Sequence, residues 1–282
     1  MERLWTVSDL LSWVTSYFKD KQIEEPRLEA EVLLAYCLQI SRLGLYTSYD
    51  RPVSQEERET LKSLLKRRLT GEPMAYLTGQ KEFMSLSFMV SPAVLIPRPD
   101  TEVLVERAIN IVKEKGFTRV IDVGTGSGAI ALSLAHYLPD LMIQAADISE
   151  DALAVARINA GNLGLEGQVQ FLHSDLLTQV AGTFELIIAN LPYVPTRMRD
   201  QISVSVREYE PGLALWAGED GLDIYRQFIP QAASKLDTGG CLLIEIDQEQ
   251  QEPVKTLLDE YQQINVIHDL SGRARAIEAW KE

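Results

Sequence analysis

Apolar residues recur at three- and four-residue intervals through the first quarter of the chain, the spacing of helices with one buried face. Two such stripes consist of Leu10, Leu11, Trp13, Val14, Tyr17 and Phe18, and of Leu28, Val32, Ala35 and Tyr36. Ser54 followed by Glu57 is a capping-box pattern that begins a third helix, and Gly71 with Pro73 ends it. Residues 1–75 are therefore predicted to form a small helical domain.

The pattern changes after this domain. Between Gly79 and Pro99, apolar residues alternate with polar ones, which predicts a β-hairpin within a linker at residues 76–98. From residue 99 to residue 282, short apolar runs alternate with helical stretches, as in a mostly parallel sheet covered by helices. We therefore predict an α/β catalytic domain, and we expect the hairpin to cover its cleft.

A glycine-rich turn lies inside residues 119–128, which read as a strand, a turn and the start of a helix. Gly124, Gly126 and Gly128 permit a tight turn and the close approach of a ligand to the backbone. The next predicted strand ends at Asp147, whose carboxylate suits a ribose diol. A cofactor that contains a nucleoside is implied.

The glycine spacing identifies this cofactor only in part. The glycines run G-x-G-x-G, with Asp122 two residues before the first, whereas a dinucleotide site favours G-x-G-x-x-G. A P-loop is disfavoured because no Gly-Lys-Ser or Gly-Lys-Thr follows. The segment alone therefore leaves a dehydrogenase cofactor open.

A second motif follows the apolar run at residues 184–189. The tetrapeptide Asn190-Leu191-Pro192-Tyr193 comes where a buried strand would end, the usual ligand-binding edge of an open α/β sheet. The asparagine side chain and the proline carbonyl can accept both hydrogens of a planar NH2 group, while the tyrosine ring covers the nitrogen. The substrate would be an amide or an exocyclic amine, although a simple strand-ending turn also uses Asn and Pro.

These motifs together resemble the class I S-adenosylmethionine-dependent methyltransferases. The resemblance is carried by residues 122–128, Asp147, residues 173–175 and the tetrapeptide. Four further segments are similar to the PrmC/HemK family, namely residues 76–83, 95–102, 207–211 and 269–273. The family usually has Asn-Pro-Pro-Tyr, so Leu191 replaces its first proline, and we expect that side chain to point away from the two acceptor oxygens.

The resemblance implies a Rossmann-like class I methyltransferase sheet and a reaction. The family methylates the side-chain amide nitrogen (N5) of the glutamine in the Gly-Gly-Gln motif of class I peptide chain release factors, with S-adenosyl-L-methionine. The N-terminal helical domain is expected to help recognise that protein substrate, although its apolar stripes also serve as its own core. Methylation of a ribosomal-protein glutamine, or of a nucleic-acid base, is the alternative.

The resemblance also assigns roles to residues. The catalytic and substrate-binding residues would be Asn190, Leu191, Pro192 and Tyr193. The cofactor-binding residues would be Asp122, Gly124, Thr125, Gly126, Ser127, Gly128, Asp147, Asp175, Leu176 and Asn190. Among them, Asp147 would bind the ribose and Asp175 would lie near the adenine, while Asp122 would orient the glycine loop or the cofactor amine.

Two pairs of family residues have open roles. Arg98 and Thr101 form one wall of the cleft, or they cap a helix and form a structural salt bridge. Arg207 and Glu210 brace the catalytic turn, or they pair at the surface.

The net charge of −14 argues against a nucleic-acid substrate, because phosphate binding needs a cationic surface. Four basic residues from Lys62 to Arg68 could form a local patch, but at a helix end they also complement the helix dipole. No membrane-spanning stretch or signal sequence is apparent, so we expect a cytoplasmic monomer without a membrane partner.

The cysteines and histidines predict no metal site. Cys37 and Cys241 lie far apart and are expected in the core. The three histidines, His136, His173 and His268, lack the spacing of metal ligands, and we interpret them as structural or solvated.

Overall fold

The computed structural model describes residues 4–282, which divide into two compact units at Gly79 and Gln80. Met1, Glu2 and Arg3, on which the expected absence of a signal sequence partly rests, lie outside the described residues. Within residues 4–282, no helix combines the length and the apolar character needed to span a bilayer.

The first unit is helical, as predicted. Its helices are α1 (Val7–Asp20), α2 (Pro26–Leu38), α3 (Arg42–Thr47), α4 (Gln55–Leu69) and α5 (Met74–Thr78). The predicted capping box begins α4: the Glu57 amide donates to Ser54 Oγ at 3.2 Å, and the Ser54 amide donates to Glu57 Oε2 at 2.8 Å. Fully buried side chains such as Val14, Phe18 and Leu33 form the core of this unit.

The predicted buried stripes are wrong at two aromatic positions. Trp13 and Tyr36 are each 46% exposed, and α2 buries Ala30, Leu33 and Leu34 instead. Residues 30–38 are apolar at nearly every position, so periodicity alone does not identify the face of α2 that packs.

The basic residues at the end of α4 pair with acidic neighbours inside this unit. Arg67 lies 2.5 Å from Glu72, and Arg68 lies 2.7 Å from Glu29. These pairs favour the interpretation of an ordinary solvated helix end.

The second unit has the predicted α/β architecture. Its strands are β1 (Gln80–Phe83), β2 (Leu86–Met89), β3 (Arg119–Val123), β4 (Met142–Asp147), β5 (Val169–His173), β6 (Phe184–Ala189), β7 (Leu236–Glu245), β8 (Gln262–His268) and β9 (Ala274–Trp280). Its helices are α6 (Glu102–Lys115), α7 (Ala129–Tyr137), α8 (Glu150–Leu163), α9 (Val204–Tyr209), α10 (Asp223–Lys235) and α11 (Gln251–Lys255).

Strands β3 to β9 form one sheet in the order β5-β4-β3-β6-β7-β9-β8. The first five are parallel, and β9 runs antiparallel to both of its neighbours. Helices α6 and α7 pack on one face through residues such as Leu104 and Leu132, and α10 packs on the other through Phe228. The chain order reverses between β3 and β6, the position at which open α/β sheets bind ligands.

The predicted hairpin is present as antiparallel β1 and β2, which belong to the second unit. Phe83 and Phe88 are buried beneath it. Asn159 of α8 is fully buried and joins the hairpin to the glycine loop: its Nδ2 donates to the carbonyls of Met89, at 3.0 Å, and Ser127, at 2.9 Å. Its Oδ1 accepts from the Met89 amide at 2.7 Å.

Asn159→Ala should destabilise the second unit by about 1–3 kcal/mol, because it leaves buried backbone groups of Met89 and Ser127 unpaired. Urea unfolding would measure the change. Asn162→Ala, at an exposed position of the same helix, is the matched control. Equal unfolding free energies for the two variants would contradict this role of Asn159.

Candidate active site

A cleft opens at the carboxyl edge of the sheet, where β4, β3 and β6 end side by side. Its empty space is about 1230 Å³, including the part open to solvent. The predicted site residues that line it are Gly124, Thr125, Gly126, Ser127, Asp147, Asp175, Leu176, Asn190, Leu191 and Pro192. Asp122, Gly128 and Tyr193 are not part of its lining. The sheet therefore brings most of the predicted residues to one cavity.

The glycine loop leaves β3 in a conformation that favours glycine. Gly124 and Gly126 have φ angles of 75° and 56°. The amides of Gly124 and Thr125 both donate to the Ala146 carbonyl, at 2.8 and 3.0 Å, which attaches the loop to β4. A Cβ atom on Gly126 would meet nothing within 4 Å, so the loop faces open space at that point.

Asp122 lies beneath this loop rather than in the cleft. Its side chain is fully buried, and its Oδ2 accepts hydrogen bonds from the Thr125 hydroxyl at 2.6 Å and the Ala131 amide at 3.2 Å. Burial raises the pKa of Asp122 to about 7, and the nearby Asp147 carboxylate adds to the rise. Of the two roles open for Asp122, these contacts favour orienting the loop.

Asp147 faces the cleft from the end of β4. Its Oδ2 accepts from the Gly126 amide at 2.8 Å, and its Oδ1 accepts from the Ser149 amide at 2.9 Å. Burial raises the pKa of Asp147, and these two N–H groups oppose that rise. Each carboxylate oxygen keeps lone-pair capacity for a diol. The carboxylate and the open glycine loop together fit a ribose-containing, positively charged cofactor.

The segment after β5 forms another part of the lining. Ser174 is buried, and Asp175 is exposed. Leu176 has a φ of 50°, and the Leu177 amide donates to Gln231 Oε1 at 3.0 Å. The backbone here is therefore fixed by α10, with Asp175 and Leu176 facing the cavity.

Asn190 and Pro192 both line the cleft, and each has an acceptor oxygen. Asn190 Nδ2 donates to Thr101 Oγ1 at 3.1 Å, which leaves Asn190 Oδ1 as the free end of the amide. Within residues 4–282, neither Asn190 Oδ1 nor the Pro192 carbonyl oxygen accepts a hydrogen bond. The pair can therefore receive the two hydrogens of an NH2 group.

Tyr193 differs from its expected position. Its hydroxyl donates to Glu245 Oε1 at 3.3 Å, and its ring packs against the apolar cluster that includes Leu222 and Tyr225. Its carbonyl accepts from Gln250 Nε2 at 2.8 Å. Because these contacts hold Tyr193 away from the lining, its ring anchors the turn and does not cover the cavity.

Leu191, which stands where the family usually has proline, is only 4% exposed. Its Cδ2 lies 2.9 Å from the position that a Cβ on Gly124 would occupy. The leucine side chain therefore packs against the glycine loop, and its two neighbours in the chain, Asn190 and Pro192, carry the two acceptor oxygens.

One wall of the cleft is braced by an ion pair. Arg98 Nη2 donates to Glu210 Oε1, and the Ile96 amide donates to Glu210 Oε2 at 3.2 Å. Glu210 is buried, whereas Arg207 pairs with exposed Glu208 at 2.8 Å. Glu210 therefore braces the site, and Arg207 pairs at the surface.

Sequence reasoning missed Glu245, Gln250 and Asn159. Glu245 had a usable signal, because a charged residue directly after the apolar run Cys241–Ile244 marks the same sheet edge as Asn190. Asn159 and Gln250 had none, since both lie in segments where polar residues are common.

The cysteines and histidines take no part in this cleft. Cys241 is buried, Cys37 is half-buried, and neither forms a disulfide. His173 Nε2 lies 2.9 Å from the Ile148 carbonyl oxygen. In the part of the chain that the structure describes, no group of three His, Cys, Asp or Glu residues is arranged to hold a metal ion.

The fold is that of the class I methyltransferases. Over 68% of this chain and 84% of the other, it matches the crystal structure of the ribosomal protein L11 methylase from Lactobacillus delbrueckii, with a TM-score of 0.51 and 25% identity. It also matches the hMettl16 catalytic domain in complex with the MAT2A 3'UTR hairpin 6, with a TM-score of 0.56 over 82% of this chain and 84% of that one at 16% identity. Residues 100–206 match the methyltransferase small domain. A cofactor of the S-adenosylmethionine type is implied.

The particular family follows from comparisons that span nearly the whole chain. Residues 9–79 match the PrmC N-terminal domain. The release factor glutamine methyltransferase of Rhodopirellula baltica is 41% identical over 98% of this chain and 97% of its own length. That of Moorella thermoacetica is 44% identical over 92% and 93%. The chain belongs to the release factor glutamine methyltransferase family.

Gly124→Ala should weaken cofactor binding at least tenfold, about 1.4 kcal/mol, because the new Cβ would press on Leu191 in a loop already held at positive φ. Calorimetry with S-adenosylmethionine would measure this change. Gly239→Ala is the matched control, since Gly239 has a φ of 78° but open space around it. Both variants should lose about 1–2 kcal/mol of stability to backbone strain. Unchanged affinity in Gly124→Ala would contradict the role of this contact.

Proposed function

We propose that this protein methylates the side-chain amide nitrogen of the glutamine in the Gly-Gly-Gln motif of class I peptide chain release factors, with S-adenosylmethionine. The observation that carries the proposal is the pair of unpartnered acceptors, Asn190 Oδ1 and the Pro192 carbonyl oxygen, at the edge of the cleft. Membership of the family supports the choice of a protein glutamine as the substrate.

An amide nitrogen is a weak nucleophile because its lone pair is delocalised into the carbonyl group. S-adenosylmethionine, when bound, supplies a methyl group activated by a positively charged sulfur. Asn190 Oδ1 and the Pro192 carbonyl would accept both amide hydrogens, orient the nitrogen and stabilise the positive charge that develops there. The alkylated nitrogen is acidic and releases its proton without a dedicated side-chain base.

The rest of the site would hold the cofactor. Asp147 would accept the ribose hydroxyls, while the backbone of Gly124 and Gly126 would lie along its methionine end. Asp175 and Leu176 would lie near the adenine. Tyr193 would anchor the catalytic turn through its hydroxyl and its carbonyl.

The protein partner is a release factor, and the enzyme works as a cytoplasmic monomer under this proposal. The net charge of −14 supports a protein substrate over a nucleic acid, which would require a cationic surface. The helical first unit, which matches the PrmC N-terminal domain, would contribute to recognition of the release factor.

A purified release factor, expressed without methylation, should gain one methyl group on the Gly-Gly-Gln glutamine when it is incubated with this protein and S-adenosylmethionine. Peptide mass spectrometry would locate the added mass. A release factor with that glutamine changed to alanine is the control. No added methyl despite tight cofactor binding would contradict the proposal and direct the test to ribosomal proteins and then to RNA.

Asn190→Ala should lower the turnover number about five- to 150-fold. The variant removes an acceptor from a desolvated amide, which costs roughly 1–3 kcal/mol when the loss is felt in the transition state. Initial rates at saturating cofactor and release factor would measure this effect, with exposed Asn162→Ala as the control. Wild-type turnover in Asn190→Ala is incompatible with the proposed role.

Asp147→Ala should weaken S-adenosylmethionine binding by about tenfold or more, because it removes the acceptor for the ribose and the partner of the Gly126 amide. Isothermal titration calorimetry would measure the dissociation constant. Asp151→Ala, on the exposed surface of α8, is the control. If Asp147→Ala bound the cofactor as tightly as the control, the ribose assignment would be wrong.

A further inference from the structure

A buried carboxylate lies beside the catalytic turn, and the mechanism above does not use it. Glu245 is the last residue of β7 and is 4% exposed. Ala189 of β6 is paired with Ile244 of β7, so the next residues, Asn190 and Glu245, lie side by side at the carboxyl ends of these strands. Glu245 Oε1 accepts from the Tyr193 hydroxyl, while Oε2 is buried and has no hydrogen-bond partner in the described part of the chain.

The orientation of the Asn190 amide decides whether the site can bind an NH2 group. Asn190 presents its oxygen to the cleft only when its Nδ2 donates to Thr101, as it does here. The opposite orientation would place NH2 against NH2. A threonine hydroxyl can both donate and accept, so Thr101 alone does not enforce the productive orientation. Its own proton must be directed to another acceptor.

Glu245 offers an acceptor nearby. The Thr101 side chain lies close enough to the Glu245 carboxyl to favour its charged form, and Glu245 Oε2 has no hydrogen-bond partner of its own in the described part of the chain. An ionised carboxylate can only accept, so a hydrogen bond from the Thr101 hydroxyl to Glu245 would leave the Thr101 oxygen to accept from Asn190. A protonated Glu245 carries a donor of its own, which would allow the hydroxyl of Thr101 to turn around.

We propose that Glu245 is a positioning residue whose ionised carboxylate holds the hydroxyls of Thr101 and Tyr193 as donors and so fixes Asn190 with its oxygen toward the substrate. This inference rests on the proposed function, in which Asn190 Oδ1 receives the substrate amide. It adds a polarised hydrogen-bond chain, from Asn190 through Thr101 to Glu245, that the reaction requires.

The hydrogen-bond chain from Asn190 through Thr101 to Glu245 should respond to pH. Burial raises the pKa of Glu245 to about 7, and Asp100 adds to the rise, whereas Thr101, Tyr193 and Arg275 oppose it. Arg275 is itself held by Asp100 at 2.9 Å and by Asp269 at 2.8 Å.

Two further groups face this cluster. Tyr225 donates to the Glu245 backbone carbonyl at 2.5 Å, and the negative charge of Asp247 raises the pKa of Tyr193. Because the ionised form of Glu245 is the positioning form, turnover should rise as the pH rises through about 7 and should fall below it.

The kinetic test compares the wild type with Glu245→Gln, Thr101→Val and Thr101→Ser across about pH 5.5 to 9, at saturating cofactor and release factor. Glu245→Gln should lower kcat at least about fivefold at high pH and abolish its rise near neutrality. Thr101→Val should lose kcat to a similar extent, whereas Thr101→Ser keeps the hydroxyl and should recover most of it. Thr256→Val, on an exposed turn of the same unit, is the matched control.

The effect of Asp122 titration must be distinguished from that of Glu245, because the pKa of Asp122 is also raised to about 7. Asp122 lies under the glycine loop, so its titration should appear in the dissociation constant of S-adenosylmethionine. That constant, measured by calorimetry at each pH, should follow the same pH dependence in wild type and Glu245→Gln. Only the pH dependence of kcat should differ between the wild type and Glu245→Gln.

Nitrogen-15 spectra of the protein without substrate test the orientation of the Asn190 amide independently of turnover. The side-chain NH2 signals of Asn190, identified by their loss in Asn190→Ala, should move with pH near neutrality in nitrogen-15 spectra. They should lose this response in Thr101→Val and Glu245→Gln. The inference would be overturned if the Asn190 signals were identical at every pH in the wild type, Thr101→Val and Glu245→Gln. It would also be overturned if the pH dependence of kcat in Glu245→Gln matched that of the wild type.

If the wild type leaves the release factor unmethylated, the proposed function fails, and the Asn190 signals still decide the positioning role of Glu245.

Discussion

The parallel pairing of β3 with β4 on one side and β6 on the other is the constraint on which the site depends. The three strands end at one edge in matched register, with Val123 beside Ala146 and Ala189. The glycine loop, Asp147 and Asn190 follow those ends directly. A shift of one residue in any of the three strands would turn the side chains near its end to the opposite face and would separate these groups. The chemistry therefore depends on sheet register first and on side chains second.

Much of the fold could be predicted from sequence because its signals are local. Residues 119–123, 142–147 and 184–189 are short apolar runs followed by loop residues, and each is a strand with those bounds. Tyr36 was misplaced because α2 is apolar at most positions and has no single face defined by periodicity, whereas Trp13 of the more amphipathic α1 is exposed although it falls within the apolar stripe. Local pattern identified the elements and did not determine which aromatic side chains they bury.

In the candidate site, too, local pattern predicted some features and tertiary contacts determined the others. Motif spacing brought Gly124, Asp147 and Asn190 to one cleft, because each follows a neighbouring strand. Tyr193 is not part of the cleft lining, and its hydrogen bonds run to Glu245 and Gln250, which lie more than fifty residues further along the chain. Thr101 and Asn190 are likewise 89 residues apart. Contacts of this kind arise from tertiary packing and leave no local pattern.

Leu191 shows how the turn keeps its geometry without the usual proline. The leucine side chain packs against Gly124, while hydrogen bonds to Thr101 and Gln250 hold Asn190 and Tyr193. Backbone rigidity from a proline ring is replaced by side-chain packing and buried polar contacts.

In the proposed function, Asn190 Oδ1 and the Pro192 carbonyl oxygen together hold the substrate amide. The most direct measurement is a crystal structure of this protein with S-adenosylhomocysteine and an unmethylated release factor. We expect the glutamine nitrogen to lie about 2.7–3.2 Å from both oxygens. A glutamine seated elsewhere in the cleft, or one whose nitrogen contacts neither oxygen, would contradict it.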